Sequence, residues 1–489
     1  MKCSGALFAF VGVAFLSQAC GDSSDADSNG ETGGSASGAR AGSAGAAASG
    51  AGRSGAGGAT GALAGAGGAP ASGASGVAGG GSSVSGAGGV AAGGAATGGN
   101  ATGGTAAGAT SAGGTSAGGT SVGGTAGKAG AGGSSSGGSS QGGSGGALNN
   151  DGPCPVPSYI ASDPKPIGWA SQGSATTGGG TATPILVTTL SQFQSEVGGT
   201  AAKVIYVKGE FAPAEIKIGS NKTIIGCSSG AKIQGHVGIG SGSSNVIIRN
   251  LKISGYGVGD CTKDPGFDAG TGCSSGADAI GVNGTAHHVW FDHCLIMDGT
   301  DGNLDITNDA DFVTVSWTKF AYTPRTDNVG DDSTGAAGHR FSNLVGGTDS
   351  NPTGWPGTRP LNVTWHHNWW ADGVVERQPR VRFGRNHLFN NYYNSTISNY
   401  CVRAGIEASI LLESNAFEGV KSPHQFNSTA NEATAYIALG TGDRANSYTS
   451  TTGDQAKQGG GSSFTPPYSY QVTAASTVAA AVKAGAGPH

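Results

Sequence analysis

Three aspartates and a short arginine-rich run are the residues of this chain whose types and spacing could do chemistry. Asp301 and Asp305 stand close together in Asp301-Gly-Asn-Leu-Asp305, with Asp278 upstream in Asp278-Ala-Ile280. Carboxylate oxygens gathered in this way suit calcium, which takes several hard oxygen ligands in a flexible shell. Taken singly, each is as well explained as a turn residue, a role aspartate often fills. The run Arg377-Gln-Pro-Arg-Val-Arg382 offers guanidinium forks of the kind that pair with carboxylates. Arg380, and Arg385 beyond it, read as ordinary solvated charge. The chain has 489 residues and a formal net charge of -5, which leaves no basic footprint for nucleic acid. A polyanionic substrate would have to be held by local cations or a bound metal.

The elements that must position these residues repeat along the chain. After Asp151, short apolar strands alternate with Gly, Asn and Asp, and the segments echo one another. Val246-Ile-Ile-Arg-Asn-Leu-Lys-Ile253 is matched by Val289-Trp-Phe-Asp-His-Cys-Leu-Ile296 and Val313-Thr-Val-Ser-Trp-Thr-Lys-Phe320. Val363–Trp370, His387–Tyr393 and Ile410–Phe417 continue the series. Each unit is a strand, a polar corner and a second strand. Such a unit cannot bury its apolar face alone but can do so by stacking on copies of itself. Strand periodicity at this repeat, with no helical pattern between, predicts an all-β right-handed parallel β-helix. Sandwiches and propellers would need hairpin signals that are sparse here. Asn250, Asn368 and Asn415 suit the corners, where a side-chain amide can bond to stacked turns. In such a stack Asp278 lies about one coil before Asp301 and Asp305. Short helices are expected to cover the ends: Leu190–Val197, with Thr188 or Thr189 as N-cap, and Ser476–Lys483.

The first 150 residues have another character. Lys2, an apolar run from Ala6 to Phe15 and Ser17-Gln-Ala-Cys20 form a signal too short to span a bilayer, and Cys20 resembles a lipoprotein cleavage site. Residues 1–20 are therefore expected to be a signal ending at a lipidated Cys20, and 21–150 a disordered tether. From about Gly30 to Ala147 the chain is almost entirely Gly, Ala, Ser and Thr, too poor in large apolar groups to offset its conformational entropy. Residues 151–489 form the folded domain. Localisation is expected to be secreted or cell-surface, as an outer-membrane-anchored bacterial lipoprotein, and the protein to act as a monomer. Six cysteines remain after Cys3 and Cys20, an even number that suggests disulfides in an exported protein. Cys261 and Cys273, flanking a short loop, are the one nominated pair.

From about Gly168 onward the chain resembles the pectate lyase family. The resemblance runs through Gly168-Trp-Ala170, Thr176-Thr-Gly-Gly179, Val204-Ile-Tyr-Val-Lys-Gly209, Val289-Trp-Phe-Asp-His293, Asp301-Gly-Asn-Leu-Asp305 and Arg377-Gln-Pro-Arg-Val-Arg382. It implies calcium-dependent β-elimination on de-esterified polygalacturonate, an acidic plant cell-wall polysaccharide. It implies Asp278, Asp301 and Asp305 as calcium ligands, Arg377 as the base, and Arg382 and Arg325 as substrate-binding residues. Some members carry a further acid two residues before the first aspartate; here that position is Gly276. Members have lysine where Arg325 is matched. Elimination removes a weakly acidic C5 proton alpha to a carboxylate, and calcium on that carboxylate stabilises the charge that develops. Arginine is normally protonated, so activity is expected to rise into the alkaline range; a rate that peaks at acid pH and vanishes above neutrality would remove arginine as the base.

Trp290, His293, His366-His367 and Trp369-Trp370 read as structural, and Trp355 as a candidate sugar platform. Three other functions stay open. A pectin lyase would act on methylated polymer without calcium, a polygalacturonase would need more clustered acids than Asp331-Asp332 and Gly338-His339 supply, and a non-catalytic binding protein would hold polymer without forming product.

Overall fold

The computed structural model describes residues 148–149 and 152–489, except 258–259, 271, 325–338, 351–359, 372, 427–433, 457–458 and 460–462. Arg325 and Trp355 lie outside the described residues, as do the signal, Cys20 and most of the tether.

Parallel pairing dominates. One sheet of ten parallel strands runs from Pro184–Val187 to Tyr436–Leu439, each strand hydrogen-bonded to the equivalent strand of the next coil. Apart from an antiparallel pair, Leu148–Asn149 with Val156–Pro157, the other described strands form a second, folded sheet that turns the corner at Lys232–Ile239, whose two ends pair with different stacks. The chain thus winds as a parallel β-helix of three faces, with the right-handed crossovers that parallel strands favour.

The corner between the first two faces explains the repeated motif. Asn250, His293, Trp317, His367, Asn390 and Ser414 hold equivalent positions, with φ between 47° and 55°. This left-handed conformation turns the chain between strands, and asparagine tolerates it best among residues with a Cβ. The next residue in each coil points inward: Leu251, Cys294, Thr318, Asn368, Asn391 and Asn415, all buried. Asn250 and the pair Asn368 and Asn415 therefore belong to two neighbouring columns rather than to one. In the inner column the backbone N–H of Asn368 donates to Asn391 Oδ1 (2.9 Å), that of Asn391 to Asn415 Oδ1 (3.0 Å), and that of Asn415 to Asn446 Oδ1 (2.9 Å). Their amides donate in turn to the carbonyls of Val315, Trp365 and Leu388. Buried backbone donors that a strand ladder leaves open are satisfied in this way. Beside this ladder the core stacks aromatic rings: Trp370 on Tyr393 at 4.7 Å, Tyr393 on Phe417 at 4.4 Å and Phe417 on Tyr448 at 5.3 Å.

The cysteines divide. Cys261–Cys273 forms as expected and Cys154 pairs with Cys227, whereas Cys294 and Cys401 remain buried thiols. Cys294 occupies an inner-column position where other coils carry asparagine, and burial pushes its thiol up to about 12. The even count was therefore not a full disulfide set. Cys154–Cys227 spans a sequence separation of 73 residues and ties the segment before the first coil to the stack. Cys227→Ala should cost about 4 kcal/mol by loop-closure entropy; equal denaturation midpoints for the oxidised wild type and the variant would show that the segment is held by packing alone.

At the N-terminal end, Leu190–Val197 is a helix capped by Thr189, whose hydroxyl accepts from the Gln192 N–H, and it buries Phe193 and Val197 on the first coils. The C-terminal helix Ala475–Gly485 forms too, but it does not cover the end of the stack. Val478 and Val482 pack on Tyr392 and Ala416, and the chain then runs back until the His489 N–H donates to Asn250 Oδ1 (2.7 Å). Its apolar stripe matches the outward aromatic surface of the second face better than the hydrogen-bonding edge of a last coil.

Candidate active site

The expected site residues other than Arg325 fall on the third face and its flanking turns. Its strands Ile280–Val282, Leu304–Ile306, Asn343–Val345, Arg380–Val381 and Val402–Ala404 stack in parallel register. Leu304 and Ile306 are fully buried in the core, so strand alternation sends Asp305 to the outer side. The register then lines up Gly281, Asp305, Leu344, Arg380 and Arg403 in one outward column. Asp278 leads into the first of these strands and Asp301 into the second, while Arg377 and Arg382 flank the fourth.

Glycine brings two of the carboxylates together. A Cβ placed on Gly302 would lie 2.8 Å from Asp278 Oδ1 and 3.1 Å from Asp305 Oδ1, so both oxygens border space that any other residue would fill. Burial and the Asp301 charge push the Asp305 carboxyl up to about 7, against the opposing pull of Arg377, Arg382 and a hydrogen bond from the Leu344 N–H. A partly exposed, oxygen-only set whose carboxylates repel around the buried Asp305 fits a hard divalent cation, which would relieve that repulsion. Among the described residues, however, no three acidic or imidazole side chains already stand as a closed metal cage.

Arg377 is buried and takes a left-handed backbone, φ 58°, a conformation that costs energy in a residue with a Cβ and often marks a functional site. Its guanidinium lies over the Phe341 ring at 4.5 Å. Arg382 is buried as well, with Nε donating to Asp349 Oδ1 (3.0 Å) and Nη1 to the carbonyls of Gly346 (3.0 Å) and Gly347 (3.3 Å). Its fork is thus oriented by protein groups on at least one edge.

Two features escaped the sequence reading. Arg380, read as solvated charge, is half-buried, and burial together with Arg382, Arg377 and Arg403 lowers its pKa. Arg403 stands beside it in register. The alternation in Val402-Arg-Ala404, an outward charge between buried apolar residues, repeats that of Leu304-Asp-Ile306 and could have revealed it. The motif residues Trp290 and His293 make contacts within the stack. Trp290 Nε1 donates to Ser316 Oγ (2.9 Å), and His293 stacks between Tyr159 and Trp317.

The pectate lyase family model matches residues 159–489. The chain belongs to the pectate lyase family. It is 34% identical to pectate lyase A of Aspergillus niger over 330 residues, which is 66% of this chain and 87% of that protein. It is 32% identical to the pectate trisaccharide-lyase of Thermotoga maritima over 254 residues, 50% of this chain and 60% of that relative's length. A pectate lyase from Bacillus sp. N165, solved in complex with trigalacturonate, shares 24% identity with a TM-score of 0.47, covering 66% of this chain and 98% of its own. Of the motifs, the aspartate segments and the arginine run fall on the third face and its lead-in turns, whereas Val204–Val207 and Val289–Asp292 lie in strands of the first.

Proposed function

We propose that the protein is a calcium-dependent pectate lyase that cleaves de-esterified (1→4)-α-D-galacturonan by β-elimination. The observation that carries this reading is the convergence of Asp278, Asp301 and Asp305 with Arg377 and Arg382 on one face of the stack, with Asp278 and Asp305 meeting at Gly302. Asp278, Asp301 and Asp305 would hold calcium, which when bound neutralises the substrate carboxylate and stabilises negative charge developing at C5. Arg382, held by Asp349 and two carbonyls, presents a guanidinium to a uronate carboxylate. Arg380 and Arg403 continue the cationic column and would take carboxylates of neighbouring sugars. Arg325, matched by resemblance to a substrate-binding position, is retained as a further contact. Arg377 in its neutral form accepts the C5 proton; the C4–O bond then breaks, and the leaving oxygen takes a proton from water.

The domain reading goes with this function. Residues 1–20 are proposed as an export signal with a lipidated Cys20, 21–150 as a tether, and 151–489 as the catalytic domain, a monomer working outward from the cell surface.

Ultraviolet absorbance of the unsaturated product tests the proposal. With polygalacturonate as substrate, product should form with calcium present and stop when a chelator is added. Product unaffected by chelator would favour a metal-independent lyase acting on methylated polymer. No product from pectate or pectin, with a folded protein, would leave polysaccharide binding alone.

A further inference from the structure

His339 lies where the sequence suggested only a superficial likeness to a hydrolase. The structure makes it one of the most confined side chains near the site. Its side chain is 4% exposed, and Nε2 lies 2.7 Å from Asp301 Oδ1 and 2.9 Å from the Asp301 carbonyl oxygen. With two oxygens of one residue as its partners, Nε2 must carry the proton and donate. The imidazole therefore grips Asp301 at both side chain and backbone, which fixes the rotation of the carboxylate.

The ring is fixed in turn. It packs against Phe341 with centroids 4.1 Å apart, and the guanidinium of Arg377 lies over that same ring at 4.5 Å. Asp301 has a side chain 28% exposed, and without its histidine it would be free to sample several rotamers in solvent. Carboxylates that ligate metals are commonly held by a hydrogen bond to the oxygen the metal does not use, and loss of that bond typically costs 10–100-fold in metal affinity.

We propose that His339 is a positioning residue that holds Asp301 Oδ1, leaving Oδ2 to complete the calcium site with Asp278 and Asp305. This rests on the calcium-binding reading of the site given above. His339 does not touch substrate in this role; it acts through Asp301.

Calcium affinity of the full-length protein, measured by titration calorimetry, tests this directly. His339→Ala should weaken binding about 10–100-fold, whereas His339→Gln, whose amide N–H can reach the same oxygen, should recover most of the loss. Melting of both variants in chelator, compared with wild type, separates a folding defect from a binding one. In an Asp301→Asn background, His339→Ala should have little further effect on calcium affinity, because the group it holds has already lost its charge. Unchanged or tighter calcium binding by His339→Ala, in a protein that melts normally, would overturn the proposal. So would an equal loss for the alanine and glutamine variants, or full additivity with Asp301→Asn. A wild-type protein that binds no calcium would overturn the metal reading itself, and His339 with it.

Discussion

Replacing Arg377 with lysine should leave the fold intact and lower turnover about 1,000-fold, the middle of the range that a positioned general base contributes. Lysine keeps a cation and an aliphatic stem above Phe341, and it tolerates the left-handed backbone of position 377 no worse than arginine does. What it loses is the planar fork, and with it the reach and direction of the nitrogen that accepts the C5 proton. The damage should fall on kcat, with KM and calcium affinity close to wild type, because Arg382, Arg380 and the carboxylates are untouched. Steady-state kinetics by product absorbance, together with calcium titration of the same sample, gives both quantities. A variant with near-wild-type turnover would take Arg377 out of the mechanism.

The second large effect concerns Asp305. Asp305→Asn is close to isosteric, and the amide oxygen can still accept from the Leu344 N–H. It removes a formal charge from the centre of the carboxylate set, so calcium binding should weaken by more than about 100-fold, beyond the typical loss for an outer hydrogen-bond partner. Metal-free stability should move the other way. The Asp305 pKa, pushed up to about 7 by burial and by Asp301, means that the folded state holds a proton the unfolded state releases. Stability in chelator is therefore lost as pH rises from the ordinary carboxylate range through about 7. The asparagine variant has no such loss and should melt higher than wild type at pH above 7 in chelator, with the gap closing in acid. Unaltered calcium affinity, or a gap that fails to depend on pH, would place Asp305 outside the metal site.

Much of the architecture was legible because a solenoid is built from local repeats. The strand–corner–strand unit is written in each coil, since inward apolar residues and a corner residue tolerant of positive φ are local requirements. The N-terminal helix and its Thr189 cap were legible for the same reason. The C-terminal helix was legible as a helix but not in its position. Which surface it covers depends on Tyr392 and Ala416, remote residues that the stack alone presents together. The asparagines show a finer failure: Asn250 and Asn368 look alike in the chain, yet one sits at the left-handed corner and the other in the inner ladder, one position on.

The site divides along the same line. By itself the sequence determined which residue types could hold calcium and bind carboxylates, because Asp301-Gly-Asn-Leu-Asp305 and Arg377-Gln-Pro-Arg-Val-Arg382 are short motifs that set strand alternation and outward direction locally. Only the tertiary structure decided that Arg380 and Arg403 share the column of Asp305, that Cys294 and Cys401 stay unpaired, and that His339 grips Asp301. Each of these depends on register between coils or on a contact across a long stretch of chain. Those are settled when backbone hydrogen bonds align whole coils, and no local pattern of residues specifies them.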